Sequence, residues 1–173
     1  GGYIALGIGS KMETKKWPIE NYIYIVENLI KEFDVCPIIF GGKEDINLAK
    51  YATKEWGRGH VAAGELRIRE SVALMSLCKF YLGNDTGTMH LAASSGIKCI
   101  SIFSSRDHPG AWYPYGKGHL EFRSSVPCEG CMLHHCIENE LKCLKSIDKE
   151  EVLEASSLLM SNYKIKIPTL IAR

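Results

Sequence analysis

The run Gly83-Asn84-Asp85-Thr86-Gly87-Thr88-Met89-His90 holds the densest usable chemistry in this 173-residue sequence. It stands between a short apolar run and a helical pattern ending near Ser95. Small and hydroxyl-bearing residues at a strand-to-helix turn leave backbone N–H groups facing outward. The helix dipole adds partial positive charge there, so a diphosphate is a natural guest. Asp85 would repel that phosphate and is better used accepting hydrogen bonds from sugar hydroxyls. Thr86 and Gly87 would then donate to the phosphate, with His90 reaching in from one helical turn on. The plainer alternative makes Asp85 a helix cap and His90 a half-buried helix residue. The meeting of cap, glycine and histidine at one turn favours binding. The same turn explains the Asn-x-Thr sequon at Asn84 better than glycosylation does.

Two other loops carry candidate groups. Gly7-Ile8-Gly9-Ser10 begins like a dinucleotide fingerprint, but Met12 stands where its third glycine belongs. Neither Gly42-Lys43 nor Gly116-Lys117 has the preceding glycine of a Walker phosphate loop; Pro37 and Ala111 occupy those places. After Ser10 comes a cationic stretch, Lys11 to Pro18, leading into a helix N-terminus. Its lysines could meet a phosphate, or form a solvated loop in which Trp17 staples the start of the helix. In Gly41-Gly42-Lys43-Glu44-Asp45, a carboxylate at a strand end could hold a ribose diol, or simply cap the next helix.

Of seven cysteines, Cys36, Cys78 and Cys99 fall inside apolar patterns, where a thiol behaves as a small hydrophobe. The others, Cys128, Cys131, Cys136 and Cys143, have a C-x2-C-x4-C-x6-C spacing with His134 and His135 inside it. Such thiolates could close a structural zinc site, form two disulfides, or remain free.

The elements that must hold these loops are legible as alternating runs. Tyr3 to Ile8 reads as a buried strand, and Ile19, Tyr22, Ile23, Val26, Leu29, Ile30 and Phe33 trace an amphipathic helix with Pro18 at its first turn. Strands are expected at Cys36–Phe40, His60–Ala63, Phe80–Leu82, Cys99–Phe103 and His119–Arg123. Helices are expected at Asp45–Trp56, Glu70–Cys78, Thr88–Ser95 and Asp148–Met160. Asp148 with Glu151 makes a capping-box-like start. Alternation of this kind predicts an α/β, Rossmann-like fold: a parallel sheet with helices on both faces and ligands at the strands' carboxyl ends. The expected layout is one domain over 1–163, with the cysteine-rich loop 128–143, and a tail over 164–173.

Composition agrees. The chain is 46% hydrophobic with a net charge of +1, and its 16 glycines and 6 prolines are too few for a disordered chain. A near-neutral balance without a basic stripe speaks against nucleic acid. No stretch approaches the roughly 18 apolar residues of a membrane span, and the first residues lack a signal peptide's basic region, so the chain reads as soluble and untargeted.

The run Gly83 to Ala93, together with Lys15-Lys16-Trp17-Pro18 and Pro109 through Trp112-Tyr113-Pro114-Tyr115-Gly116, resembles glycosyltransferase family 9, whose best-known members are lipopolysaccharide heptosyltransferases. The likeness spans about Ile4 to Met160 and covers only the C-terminal half of that family's two-domain GT-B fold. It implies a nucleotide-sugar donor, typically ADP-heptose, held in this half. By that analogy Ser10 and Lys15 contact the diphosphate, Glu44 the ribose and Leu66 the adenine. Asp85 holds donor-sugar hydroxyls, and Thr86, Gly87 and His90 surround the phosphates. The family's usual glycine-proline-threonine after the last core strand is Ser104-Ser105-Arg106 here.

The resemblance further implies inversion at the anomeric carbon by direct displacement. Lys15 and Asp85 would serve catalysis by meeting the leaving group and positioning the donor sugar, and the general base would lie on a missing N-terminal domain. This half alone would then bind the donor but barely turn over. The acceptor would be a lipopolysaccharide-core or related glycan, and the enzyme a bacterial cytoplasmic one, associated peripherally with the inner face of the inner membrane. None of Asp34, Asp45, Asp85, Asp107 or Asp148 pairs as Asp-x-Asp, so leaving-group stabilisation is expected to need no metal, zinc entering only as a structural ion of the cysteine loop. The alternatives are a nucleotide-sugar epimerase of the same architecture, or a non-catalytic nucleotide-binding module with a structural cysteine cluster.

Overall fold

Apolar runs of four to seven residues become strands where branched and aromatic side chains can alternate between two covered faces. The structure is a computed structural model that describes the backbone of residues 1–165 and side chains as far as Asn162. Its strands are β1 (Gly2–Gly7), β2 (Val35–Ile39), β3 (His60–Val61), β4 (Cys78–Asn84), β5 (Lys98–Phe103) and β6 (Leu120–Arg123). All pair in parallel, in the order β3-β2-β1-β4-β5-β6. The chain winds outward from β1 to β3, then returns to the other side of β1 and winds outward again. The reversal leaves a crevice beyond the carboxyl ends of β1 and β4, where open parallel sheets take ligands.

Alternate residues of β1 show how both faces are covered. Ile4 and Leu6 enter a core built with α1 (Ile19–Phe33), α2 (Ile46–Trp56) and α6 (Lys149–Ile165), through Tyr22, Leu29, Ala52 and Val152. Ala5 enters the opposite core, with Met75 of α3 (Ile68–Met75) and Met89 and Ala92 of α4 (Gly87–Ser94). A short α5 (Lys142–Lys145) lies between the cysteine-rich loop and α6. Pro18 directly precedes α1, and Asp34 ends it in the left-handed region with φ 54°.

The expected elements are present, with informative shifts. Cys78 belongs to β4 rather than to a helix. Ser76 closes α3 by donating its N–H to Val72 O, which frees Cys78 to lie opposite Tyr3 in the sheet. The Asp148 carboxylate caps α6 by accepting the Glu150 N–H. α6 runs to Ile165, past the expected start of the tail, whose remaining residues 166–173 lie outside the described residues. Helix α5 was not expected, since its four residues carry no periodic signal.

At the end of β4, Asn84 is fully buried and uses every hydrogen-bonding position of its amide. Oδ1 accepts from the Trp17 N–H at 3.1 Å and the Tyr22 hydroxyl at 2.7 Å. Nδ2 donates to Ile8 O at 2.9 Å and Gly9 O at 3.3 Å. One side chain thereby ties the loop after β1 and the start of α1 to the centre of the sheet. Asn84→Asp keeps the shape but replaces the two-donor amide edge with a carboxylate oxygen facing two carbonyl oxygens. It should cost about 3 kcal/mol in urea unfolding; a loss below about 0.5 kcal/mol would show that the loop is held by other contacts.

Candidate functional site

A cleft of about 610 Å³ opens at the carboxyl ends of β1, β2 and β4, lined by Ser10, Lys15, Glu44, Asp85, Thr86 and Gly87 among others. A neighbouring hollow of about 680 Å³ is lined by Leu66 to Glu70 and shares Ile68 with the cleft. Seven of the eight donor-site residues expected from sequence thus line two adjoining spaces. His90 stands exposed on α4, outside the cleft lining, though its charge still acts on Asp85.

Each wall has a local cause. The Ser10 hydroxyl accepts the Met12 N–H at 3.1 Å, turning the loop after β1. A 3-10 turn over Glu13–Lys15 then carries Lys15 inward, next to the buried Thr14. On the β2 side, the Asp45 carboxylate packs against Gly9 and Gly41, where any Cβ would overlap it. It accepts the Gly42 N–H at 2.9 Å, and burial raises its pKa. Asp45 is therefore the structural acid of that loop. Glu44, about half exposed and 3.7 Å from Lys11, is the one left available to a ligand.

On the β4 side, Thr86 is the N-cap of α4 and makes no side-chain cap bond, so Asp85 is not the cap. The Thr86 hydroxyl instead pairs with that of Thr88 at 2.7 Å, and Thr88 with the Tyr81 hydroxyl at 3.0 Å. Space around Gly87 is open, which leaves the first turn of α4 accessible from the cleft.

The centre of the site is an alternating row of charges. Lys15 Nζ lies 2.5 Å from Asp85 Oδ2 and 3.2 Å from Asp107 Oδ2. Arg106 Nη1 spans both oxygens of Asp107, at 3.0 and 3.1 Å. All four side chains are about nine-tenths buried. Burial lifts the pKa of Asp85 above the ordinary carboxylate value, outweighing the downward pull of Lys15. Sequence reasoning missed Arg106 and Asp107 as members of the site. The available signal was an Arg-Asp pair directly after β5, the strand beside β4.

Cys128, Cys131, Cys136 and Cys143 line one small hollow together with Thr14 and Arg106. All are free, half-buried thiols, and Cys136 Sγ accepts the Leu141 N–H at 3.4 Å. Among the described residues no group of three or more His, Cys, Asp or Glu that could hold an ion is found. In the β-sheet, Cys78 and Cys99 are buried and their thiols are pushed up to about 12, as expected of inert core cysteines.

Residues 1–142 match the family model of glycosyltransferase family 9 (heptosyltransferase). The chain belongs to glycosyltransferase family 9. Lipooligosaccharide heptosyltransferase 2 of Campylobacter jejuni is 22% identical over 154 residues, which is 86% of this chain and 48% of that protein. The structure of Escherichia coli ADP-heptose lipopolysaccharide heptosyltransferase II superposes with a TM-score of 0.76 at 22% identity, over 94% of this chain and 47% of that one. E. coli heptosyltransferase WaaC, solved with ADP-2-deoxy-2-fluoro heptose, gives a TM-score of 0.68 at 18% identity, over 91% and 43%. This family 9 chain thus spans about half the length of these relatives, and its Rossmann-like fold corresponds to half of a GT-B architecture. No helix of the described residues is long and apolar enough to cross a membrane.

The raised pKa of Asp85 has a stability consequence. Its contribution is full below the unfolded carboxylate value and is lost as pH rises through the folded one. Asp85→Asn removes that loss, so the variant's stability relative to the parent should improve as pH rises above the ordinary carboxylate value in urea unfolding. The reverse trend would show that attraction to Lys15 outweighs burial.

Proposed function

We propose that this domain binds the donor of an inverting glycosyl transfer, a nucleoside diphosphate sugar of the ADP-heptose class. The sugar would pass to a lipopolysaccharide-core or related glycan presented by a second domain. The observation that carries this reading is the Lys15–Asp85 pair at the open start of α4, inside the cleft where the strand order reverses. Support comes from the relative WaaC, whose structure holds an ADP-heptose analogue.

In this reading the nucleobase enters the hollow beside Leu66, and Glu44 accepts hydrogen bonds from the ribose hydroxyls. The diphosphate displaces the Asp85 carboxylate from Lys15 and settles against Lys15, Ser10 and the N–H groups of Thr86 and Gly87. Asp85, released, accepts from hydroxyls of the donor sugar. As the acceptor oxygen attacks the anomeric carbon, the bond to the diphosphate breaks and negative charge grows on the leaving oxygens. Fixed donors already aimed there stabilise that charge without reorganising. The general base that takes the acceptor's proton belongs to the second domain, so this half alone binds but scarcely turns over. His90, at the rim, adds positive charge when protonated. The donor-binding unit is residues 1–163, and the enzyme works in the bacterial cytoplasm, facing the inner membrane.

Lys15→Ala should weaken ADP binding by about tenfold or more while adenosine binding changes less than about twofold, as read by calorimetry. Equal losses would remove Lys15 from the phosphate, and no saturable ADP binding by the parent at millimolar ligand would sink the donor reading. Leaving-group stabilisation by Lys15 and α4 requires no metal, and the cysteine loop is proposed to work as reduced thiols. Elemental analysis of protein purified without chelator should then give a zinc to protein ratio near zero; a ratio near one would instead make zinc a structural part of the loop.

A further inference from the structure

A lysine that must meet a diphosphate needs a support that the diphosphate does not displace. Asp85 lines the cleft and is the partner a donor would push aside. Asp107 touches Lys15 without belonging to the cleft lining, so it can keep its hold while ligand is bound. Asp107 in turn is spanned by Arg106 Nη1, and the other edges of that guanidinium are already engaged. Arg106 Nε donates to Leu133 O at 3.0 Å and Nη2 to Met132 O at 2.9 Å. The loop supplying these carbonyls is fastened back on the same segment. Gly130 N–H donates to Ser105 O at 2.8 Å and Met132 N–H to Arg106 O at 3.0 Å. The neighbour of Lys15 joins in as well, its Thr14 hydroxyl donating to Leu133 O at 3.2 Å.

We propose that Arg106 is the positioning residue of the donor site: bolted to the Met132–Leu133 backbone, it fixes Asp107, and Asp107 holds Lys15 at the phosphate position when the donor displaces Asp85. This rests on the donor reading above. Three directions must be served at once, two carbonyls and a carboxylate, and a planar guanidinium can do so where a single ammonium cannot. Charge is the second effect. Two cations and two carboxylates leave the row neutral, and loss of Arg106 would leave a net negative site facing an anionic ligand. The cysteine-rich loop thereby acquires a role in the site, as the frame to which Arg106 is fastened.

The test separates positioning from charge and from general support. In the full chain, Arg106→Lys keeps the charge and Arg106→Gln removes it. Both should weaken ADP binding about tenfold and leave adenosine binding within about twofold. Recovery of full ADP affinity in Arg106→Lys would reduce the role to charge, and parallel losses of ADP and adenosine would reduce it to folding; either overturns the proposal. Should those variants fail to fold, Asp107→Asn leaves Arg106 its two carbonyls. By charge alone this change would tighten ADP binding, so a loss supports positioning and a gain overturns it. A readout without ligand distinguishes failure here from failure of the donor reading. Acylation of the Lys15 amine, measured by peptide mass spectrometry, should be several-fold faster in Arg106→Lys than in the parent, and an unchanged rate overturns the proposal even where ADP binds the parent well.

Discussion

The buried amide of Asn84 is the constraint on which the site depends. A side-chain amide has two donors and two acceptor positions, and a buried one left partly unmet is destabilising. Asn84 meets all four with atoms from three segments: the carbonyls of Ile8 and Gly9, the N–H of Trp17 and the hydroxyl of Tyr22. Lys15 lies between Gly9 and Trp17, so both flanks of its loop are registered against β4. Trp17 extends the tie, since its indole N–H donates to Leu144 O at 3.1 Å and its ring meets Tyr22 edge-on. A loop rich in lysines, which would otherwise be solvated, is thus held to the end of the strand that also carries Asp85.

With the loop so fixed, the charged row becomes tolerable. Taking ionised groups from water costs several kcal/mol each, and their attraction offsets this only when geometry is good and the remaining hydrogen-bonding positions are filled. Arg106 satisfies that condition through two carbonyls, and Asp107 through Arg106 and Lys15. Asp85 is the least supported member, held by Lys15 alone among the cations of the row, and its raised pKa reports that. The least supported ion is also the one carboxylate of the row that lines the cleft. A near-zero net charge is consistent with such a site, because the field at the cleft is set by the groups around it, Lys11 and Lys15 and the start of α4 among them, and not by the sum over the chain.

Much of this was legible in the sequence where periodicity or local chemistry carried the signal. Ile19 to Phe33 gives a helix because its apolar residues recur at three-and-four spacing, and the Gly83 to His90 run gives a strand-to-helix turn because its small residues allow little else. The Arg106–Asp107–Lys15 row was hidden, since nothing local says that a residue after β5 will touch one after β1. Their meeting depends on the sheet order and on the loop around Leu133. The four clustered cysteines line one hollow, but their spacing alone does not fix whether they hold an ion, pair as disulfides or stay free.

The glycines sharpen this difference between pattern and cause. Gly7-Ile8-Gly9 opens like a phosphate-binding fingerprint, in which glycine is required so that a pyrophosphate can approach the backbone. In this chain both glycines answer to side chains. Gly7 and Gly83 together leave room for the Tyr81 hydroxyl, which fixes Thr88 and through it Thr86. Gly9 and Gly41 leave room for the Asp45 carboxylate, which fixes the loop that carries Glu44. Each glycine pair admits an anchor that orients a neighbour lining the cleft, Thr86 in one case and Glu44 in the other. Spacing that looked like half of a nucleotide motif is therefore the trace of two backbone notches, and in the proposed function the phosphate contacts are assigned to Lys15 and the start of α4 instead.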